Sequence, residues 1–222
     1  MIRLFNEDCM IAMKAMPDKA YDLAIVDPPY GIGNFIPQNM SKTGRNISHR
    51  VDWNDSVPMA EYFSHLSRVS SRQIIWGANY YNCFPLSSGC IVWDKGPANP
   101  VFSRCEIAAA SFQKRVDYIL INWQSGFHRA AIENVIHPCQ KPVALYEWLL
   151  KNYAKPGDKI LDTHGGSGSI CIACDNLGFD LDFYEIDLEY FNAAKERLER
   201  HQRQTKLIIG NEIAPPLQEA LL

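Results

Sequence analysis

The tetrapeptide Asp27-Pro28-Pro29-Tyr30 is the segment of the sequence whose residue types most clearly suit chemistry. It follows the apolar run 23–26, and a short apolar run closed by turn residues is typical of a buried strand that ends abruptly. The two prolines fix their own φ angles and favour extended geometry in the residues before them, so the turn is stiff. The turn therefore offers one carboxylate, backbone carbonyls and one aromatic ring in a fixed arrangement.

This set of groups suits a flat ring that carries an amino group. The carboxylate of Asp27 and a backbone carbonyl can accept the two N–H bonds, while Tyr30 stacks on the face of the ring. Such acceptors bind more strongly as positive charge develops on the nitrogen during methyl transfer, which is the differential binding that catalysis requires. A nucleobase amine is hidden inside a duplex, so the base would have to be swung out of the stack. An ordinary strand-ending turn is the alternative that the tetrapeptide alone leaves open.

A second candidate site lies in the last third of the chain. Residues 158–161 predict another short buried strand, which leads into the loop 162–169 and then an apolar helix over 170–177. A strand, a glycine loop and a helix in this order let the backbone approach a ligand closely at a helix N-terminus. The next predicted strand ends at Glu185, about twenty residues beyond the glycines, where a carboxylate can accept both ribose hydroxyls of an adenosine.

A nicotinamide cofactor would use the same parts, so an oxidoreductase is a rival interpretation. The segment Gly166-Ser167-Gly168 continues with Ser169-Ile170-Cys171, so the third glycine of a GxGxxG pattern is missing. The loop also lacks the lysine that holds phosphates in a Walker loop. A ligand without a pyrophosphate fits better, and S-adenosylmethionine is such a ligand.

In combination, these segments resemble the DNA amino-methyltransferases of the beta arrangement, in which the catalytic motif precedes the cofactor motif. Asp27-Pro28-Pro29-Tyr30 resembles their catalytic motif, in the spelling usual for adenine-N6 enzymes. The segment 137–142 (HPCQKP) resembles the family's HPTQKP, and the loop 162–169 resembles DPFxGSGT. The acidic strand end at 184–187 and the opening segment 6–9 also have counterparts in the family. The likeness covers most of residues 1–203.

The resemblance implies a fold, a cofactor and a set of site residues. The fold is α/β: a doubly wound, mostly parallel seven-stranded Rossmann-like methyltransferase sheet, circularly permuted, with the strand ending at Asp27 beside the one ending at Asp162. The cofactor is S-adenosylmethionine, the substrate is adenine N6 in double-stranded DNA, and no metal is needed. The catalytic residues would be Asp27, Pro28, Pro29 and Tyr30. The cofactor-binding residues would be Asp8, Cys9, Asp27, Lys141, Asp162, His164, Gly165, Gly166, Ser167, Gly168, Glu185 and Ile186.

Several positions leave alternatives open. His164 stands where the family has Phe and Thr163 where it has Pro, so a non-catalytic DNA-binding homologue is one rival. Asp162 is either a loop organiser or a direct ligand of the methionine portion, and Lys141 either reaches the cofactor, orients the Asp27 turn or is a solvated charge. The Pro138-Cys139 pair suggests the thiol nucleophile of carbon-5 cytosine methylases, but its surroundings match the HPTQKP string instead. Cytosine N4 and RNA adenine are the alternative targets.

Length and charge predict one domain with local basic segments. At 222 residues and a net charge of −3, the chain fits a single methyltransferase domain over 1–222 without a global signal for nucleic acid. Residues 31–52 predict a flexible basic loop, and residues 96–135 a target-recognition insert, in which basic and aromatic residues interleave. A solvated loop and a surface connection are the respective alternatives. The candidate DNA-binding residues are Lys42, Arg45, Arg50, Lys114, Arg115 and Arg129.

The remaining features indicate where the protein works and with what. No apolar run is long enough to span a bilayer and Met1-Ile2-Arg3 does not open a signal peptide, so a cytoplasmic location in a bacterial or phage-infected cell is expected. The seven cysteines are scattered, and Cys171 and Cys174 lie in an apolar helical stretch that favours core packing over metal or disulfide chemistry. The family resemblance adds a homodimer and a cognate restriction endonuclease as candidate partners.

Overall fold

The computed structural model describes residues 1–33, 54–81, 89–97, 103–123 and 135–205, together with the short strands Ile208–Ile209 and Glu212–Ile213. Within these ranges, the chain contains no helix with the length and apolar character needed to cross a membrane.

One sheet of eight strands organises the described residues. Its strands are β1 (Ile2–Phe5), β2 (Tyr21–Val26), β3 (Ser70–Trp76), β4 (Cys90–Asp94), β5 (Cys105–Ala110), β6 (Val116–Leu120), β7 (Lys159–Asp162) and β8 (Asp180–Tyr184). Their order across the sheet is β1-β8-β7-β2-β3-β5-β4-β6. The strands β9 (Ile208–Ile209) and β10 (Glu212–Ile213) form a separate antiparallel pair.

The sheet is mostly parallel, as expected. Strand β5 pairs antiparallel with both β3 and β4, whereas the other five pairings are parallel. The strand count exceeds the expected seven by one, because residues 116–120 add β6 beyond β4 at the edge of the sheet. Both β5 and β6 lie inside the segment 96–135, so the described part of the predicted recognition insert contributes strands to the main sheet.

The helices cover both faces of the sheet. They are α1 (Cys9–Ala15), α2 (Ala60–Val69), α3 (Val143–Tyr153), α4 (Ser169–Leu177) and α5 (Leu188–Thr205). Successive residues of a strand point to opposite faces. Accordingly, Leu23 and Ile25 of β2 join one core cluster with residues of α3, α4 and α5, whereas Ala24 and Val26 join a second cluster with residues of α1 and α2. The doubly wound arrangement predicted from the sequence is therefore confirmed.

The two predicted sites lie on neighbouring strands. Strand β2 pairs in parallel with β7, with Leu23 opposite Ile160 and Ala24 opposite Leu161. Both strands therefore end at the same edge of the sheet, which is where open parallel sheets bind ligands. The expected adjacency of the Asp27 and Asp162 strands is confirmed, while the circular permutation stays a prediction.

Candidate active site

The turn after β2 is fixed by hydrogen bonds from two sides. The hydroxyl of Tyr81 donates to the backbone carbonyl of Pro28 at 2.7 Å. The backbone N–H of Tyr30 donates to the side-chain oxygen of Asn54 at 3.0 Å, and Asn54 in turn donates to the carbonyl of Gly33 at 2.9 Å. These bonds add to the stiffness of the two prolines, so the turn presents Asp27 and Tyr30 in one defined orientation.

Both oxygens of the Asp27 carboxylate have a donor. The ammonium of Lys141 contacts Oδ2, and the hydroxyl of Tyr30 donates to Oδ1 at 2.6 Å. Lys141 is brought here by the segment before α3, and its side chain is 3% exposed. The prediction that Lys141 orients the Asp27 turn therefore agrees with the contact that the structure shows.

A second carboxylate, Glu106 of β5, completes a buried charge cluster. One of its oxygens lies 3.0 Å from the ammonium of Lys141 and the other 2.5 Å from that of Lys95. Burial opposes the ionisation of Glu106, but the two lysines outweigh it and lower its pKa to about 2. Burial raises the pKa of Asp27, against the opposing attraction of Lys141. The four side chains pair two carboxylates with two ammonium groups, and they are between 3% and 20% exposed.

The ring of Tyr30 packs between aromatic and backbone groups. It stacks on Tyr80 with ring centroids 4.8 Å apart and meets the edge of Tyr81 at 6.3 Å. Gly77, at φ +72°, lies against the ring so closely that an added Cβ would come within 2.1 Å of Cε1. The sequence predicted only the stacking surface of Tyr30, and its hydroxyl bond to Asp27 was not foreseen.

The glycine loop after β7 is held by two buried carboxylates. Asp162 accepts the backbone N–H of His164 at 3.0 Å, which is the contact of a loop organiser. Glu185 accepts the N–H of Gly166 and that of Asp187, both at 2.8 Å. An added Cβ at Gly165 would lie 1.8 Å from the ring of Phe183, so this position has room for glycine alone.

The far end of the loop is anchored to α5. Arg197 donates to the carbonyl of Ser167 and to the hydroxyl of Ser169, both at 2.9 Å. Gly168 lies at φ +69° before the first residue of α4, close to Ala194. The loop therefore has a fixed shape at a helix N-terminus, as the glycine pattern indicated. Ile186, in contrast, is 63% exposed, and its carbonyl accepts a bond from Asn6.

The two departures from the family pattern form one hydrogen-bonded group with α2. The hydroxyls of Tyr62 and Thr163 lie 2.7 Å apart, and Nδ1 of His164 is 3.0 Å from that of Thr163 and 3.5 Å from that of Tyr62. Burial lowers the pKa of His164 to about 4. The imidazole is therefore neutral at physiological pH and does not place a positive charge in this region.

A cavity of about 220 Å³ lies between α1, α2, the Asp27 turn and the glycine loop. Of the predicted site residues, Asp8, Cys9, Pro29 and His164 line it. Asp8 is also the N-cap of α1, with its side chain accepting the N–H of Met10 at 2.8 Å. Glu185, Ile186 and the glycines 165, 166 and 168 do not line this cavity. The remaining lining residues are Met10, Ser56, Val57, Pro58, Met59, Glu61 and Tyr62.

The segment 137–142 contacts both halves of the site. The ring of His137 packs against Tyr190 at 4.3 Å, and an added Cβ at Gly166 would touch the same imidazole. The side chain of Cys139 reaches solvent, but the protein atoms around its thiol, together with the negative charge of Asp27, raise its pKa to about 12. A thiol with so high a pKa is a poor nucleophile at neutral pH, which argues against the Pro-Cys interpretation.

The candidate DNA-binding residues are only partly described. Lys114 and Arg115 are exposed and lie just before β6, and Arg115 pairs with Asp117 at 2.8 Å. The other four candidates, Lys42, Arg45, Arg50 and Arg129, lie outside the described residues.

Comparison with known proteins identifies relatives of this architecture. Residues 113–196, which include Lys141, the glycine loop and Glu185, match the family described as DNA methylase. The type II methyltransferase M.HpaI of Haemophilus parainfluenzae is 24% identical over 232 residues, covering 89% of this chain and 74% of the relative. Over these ranges the chain is similar to DNA methylases of the N6/N4 type.

Solved structures share the fold of this chain. The M1.HpyAVI-SAM complex matches with a TM-score of 0.57 at 20% identity, covering 89% of this chain and 100% of the other. The PvuII DNA methyltransferase, described as cytosine-N4-specific, matches with a TM-score of 0.57 at 12% identity, covering 91% and 92%. At such identities the likeness establishes the fold and does not assign residues.

The sequence motifs did not point to several residues of this site. They are Asn54, Tyr62, Tyr81, Lys95 and Glu106. A signal existed for Glu106, which is the one charged residue of the strand Cys105–Ala110. A charge inside an apolar strand needs a partner when it is buried. The identity of that partner follows only from the tertiary fold.

The buried carboxyl of Asp162 predicts a pH-dependent stability. Burial raises its pKa to about 8, whereas an unfolded aspartate has a pKa of about 3.9. Between these values the folded protein binds a proton that the unfolded chain releases, so stability falls as the pH rises towards 8. Asp162→Asn should flatten this dependence by up to about 1.4 kcal/mol per pH unit. Urea unfolding from pH 5 to 8.5 measures the pH dependence of the unfolding free energy. The variant Asp18→Asn, at an exposed position, is the control. A curve parallel to that of the wild type would contradict the shifted pKa.

Proposed function

We propose that this chain is an S-adenosylmethionine-dependent DNA methyltransferase that acts on adenine N6. The observation that carries the proposal is the position of the Asp27 carboxylate, at the end of β2, which pairs in parallel with β7, the strand that leads into the glycine loop. A methyl acceptor bound at Asp27 and a methyl donor bound at the neighbouring strand end would meet at this edge of the sheet. The motif spelling supports adenine over cytosine.

The residues around the cavity fit the proposed cofactor. S-adenosylmethionine supplies an electrophilic methyl group on a positively charged sulfur. The carboxylate of Asp8 lies at the cavity wall, the neutral imidazole of His164 adds no repelling charge, and Pro29 joins the wall to the catalytic turn. The residues proposed to hold the cofactor are Asp8, Cys9 and His164, which line the cavity, together with nine that do not line it. These nine are Asp27, Lys141, Asp162, Gly165, Gly166, Ser167, Gly168, Glu185 and Ile186.

The chain's own residues would activate the amine without a covalent intermediate. Asp27 accepts an N–H of the target amine and stabilises the positive charge that develops on nitrogen. Tyr30 would stack on the everted base in place of Tyr80, which covers its ring in this structure. The carbonyl of Pro28 already accepts the Tyr81 hydroxyl, so its second lone pair would receive the other N–H. Within the described residues, no group of three or more His, Cys, Asp or Glu side chains is placed to hold a metal ion.

Nucleoside analysis tests the proposed reaction directly. The purified protein is incubated with methyl-labelled S-adenosylmethionine and mixed-sequence duplex DNA, and the digested product is separated into nucleosides. Label in N6-methyladenine supports the proposal. Label in N4-methylcytosine instead would support the second candidate, which the fold likeness to the cytosine-N4-specific PvuII enzyme favours. Parallel reactions with RNA test the remaining target.

Binding measurements distinguish a methyltransferase from a non-catalytic DNA-binding homologue. Calorimetry with S-adenosylmethionine should show saturable binding, because the Tyr62, Thr163 and His164 group keeps the cavity wall ordered and uncharged. Absence of binding at millimolar donor would support loss of the cofactor site. Stabilisation by NAD rather than by the methyl donor would support the oxidoreductase interpretation instead.

The basic loop is proposed to contact the DNA backbone. Replacing Lys42, Arg45 and Arg50 together by alanine should weaken duplex binding and lower the slope of log K against log salt by about 2–3, since each lost phosphate contact removes about 0.9. Fluorescence anisotropy at several salt concentrations measures this. The matched control replaces three exposed cations of α5, Lys195, Arg200 and Arg203, which should leave the slope unchanged. Equal slopes in both variants would mean that the loop does not bind phosphate.

The biological setting completes the proposal. We infer a cytoplasmic location in a bacterial or phage-infected cell. A homodimer and a cognate restriction endonuclease are proposed partners, the latter because the relative M.HpaI is a type II methyltransferase.

A further inference from the structure

Glu106 is the shared neighbour of both groups that bind Asp27. The ammonium of Lys141, in contact with Oδ2 of Asp27, lies 3.0 Å from Oε2 of Glu106. The hydroxyl of Tyr30, which donates to Oδ1 of Asp27, lies 3.4 Å from the same Glu106 oxygen. The other oxygen of Glu106 is bound by Lys95. Glu106 is thus fixed on one side and offers its second oxygen to the donors of Asp27.

The arrangement around Asp27 conflicts with the reaction proposed for it. Each carboxylate oxygen keeps a lone pair for an amine N–H, but Lys141 remains in contact with Oδ2. During methyl transfer the amine nitrogen becomes positively charged. A fixed ammonium beside it would repel that charge, and the repulsion is strong where water is excluded. Lys141 must therefore shift away from Asp27 before transfer.

Among the described residues, the surroundings of Lys141 leave one carboxylate to receive its ammonium group. Its side chain is 3% exposed, so water cannot solvate the ammonium, and a buried charge without a partner is costly. Besides Asp27, the groups around Nζ are Glu106, the Tyr30 hydroxyl at 3.4 Å and the faces of the Trp76 and Tyr30 rings at 5.5 and 5.8 Å. Of these, Glu106 alone is an anion.

We propose that Glu106 is a positioning residue that takes the ammonium of Lys141 from Asp27 when the target amine binds. The proposal rests on the methyltransferase function proposed above. In this proposal Glu106 contacts neither substrate. Glu106 acts through Lys141, and Lys95 holds Glu106 in place. In the free protein Lys141 neutralises Asp27, and in the complex the amine replaces Lys141 there.

The first test removes the charge of Glu106 and keeps its shape. Glu106→Gln should lower kcat about 100-fold, the size of effect expected for an electrostatic group at a reaction centre, while KM for DNA and the Kd for S-adenosylmethionine change less than about threefold. The matched control is Glu147→Gln, a buried glutamate of α3 that accepts a bond from Asn176 away from the cluster. An unchanged kcat in Glu106→Gln would overturn the proposal.

A double-mutant cycle tests that Glu106 acts through Lys141. Lys141→Met removes the ammonium, so the further change Glu106→Gln should then cost little, and the double variant should be no slower than Lys141→Met alone. Losses that multiply would overturn the proposal, because Glu106 would then act independently of Lys141. An inactive wild-type protein would instead refute the proposed function, which keeps the two failures apart.

A structure of the wild-type protein tests the same idea without a variant, and decides it if Glu106→Gln does not fold. In a complex with sinefungin and a duplex whose target base is everted, Lys141 Nζ should lie within about 3.2 Å of Glu106, at hydrogen-bond distance, and outside that range from Asp27. Lys141 still in contact with Asp27, with the amine bound, would overturn the proposal.

Discussion

Asp27→Ala is expected to abolish methyl transfer and leave cofactor binding largely intact. The carboxylate is the proposed acceptor for the target amine, and its removal takes away the group that stabilises the developing positive charge. A loss of about 10²–10³-fold or more in kcat follows for an electrostatic group of this kind. Label incorporation measures the rate, and calorimetry with S-adenosylmethionine measures donor affinity. The fold should survive, because Glu106 remains at 3.0 Å as a partner for Lys141.

The control for this variant lies on the same strand. Asp22 is exposed at the other end of β2, where its carboxylate accepts the backbone N–H of Lys159. Asp22→Ala should keep both activity and donor affinity. If Asp27→Ala lost donor binding together with activity, Asp27 would belong mainly to the cofactor site, and the assignment of the acceptor would be wrong.

Gly77→Ala is expected to have the second-largest effect, through Tyr30. The new Cβ would lie 2.1 Å from Cε1 of the Tyr30 ring, so the ring must move. Movement of about 1 Å in a positioning group can cost about 10²-fold in rate, and the Tyr30 hydroxyl bond to Asp27 would be disturbed as well. Steady-state kinetics and thermal unfolding together measure the loss in kcat and the loss in stability.

The control variant Gly178→Ala separates the clash with the Tyr30 ring from the strain of the left-handed backbone. It has φ +74°, close to the +72° of Gly77, but an added Cβ there meets nothing within 4 Å. Both substitutions incur the left-handed backbone cost of about 1–2 kcal/mol, while the overpacking cost of about 1–3 kcal/mol falls on Gly77→Ala alone. Equal kinetics in the two variants would show that the Tyr30 ring position does not limit the reaction.

The sheet was largely predictable because its central strands follow simple rules. The runs before Asp27 and Asp162 are apolar and end in turn residues, and both are buried strands. Strand β6 breaks the rule: its apolar residues Val116, Tyr118 and Leu120 are 55–64% exposed, while Asp117 and Ile119 are less so. An edge strand with this inverted pattern is difficult to recognise without its neighbour β4.

The candidate site was predictable only as far as its motifs are local. The turn at Asp27 is recognisable in the sequence from its prolines, and the loop after β7 from its glycines. Glu106 gains its role from pairing with Lys141, which is distant in sequence, and Lys95 binds the other oxygen of Glu106, so no local pattern predicts the cluster. The Tyr30 hydroxyl illustrates the same limit, because the residue type allows stacking and hydrogen bonding alike and the tertiary structure decides between them.

The position of β2 between β3 and β7 has a consequence for biosynthesis. The ribosome releases β2 and β3 early, but β7 emerges more than eighty residues after β3. Until then one edge of β2 lacks its neighbour, and an unpaired apolar edge promotes association between nascent chains. Truncated products that stop before residue 159 would therefore aggregate, because the Asp27 turn and the glycine loop 162–169 come together only after β7 has been synthesised.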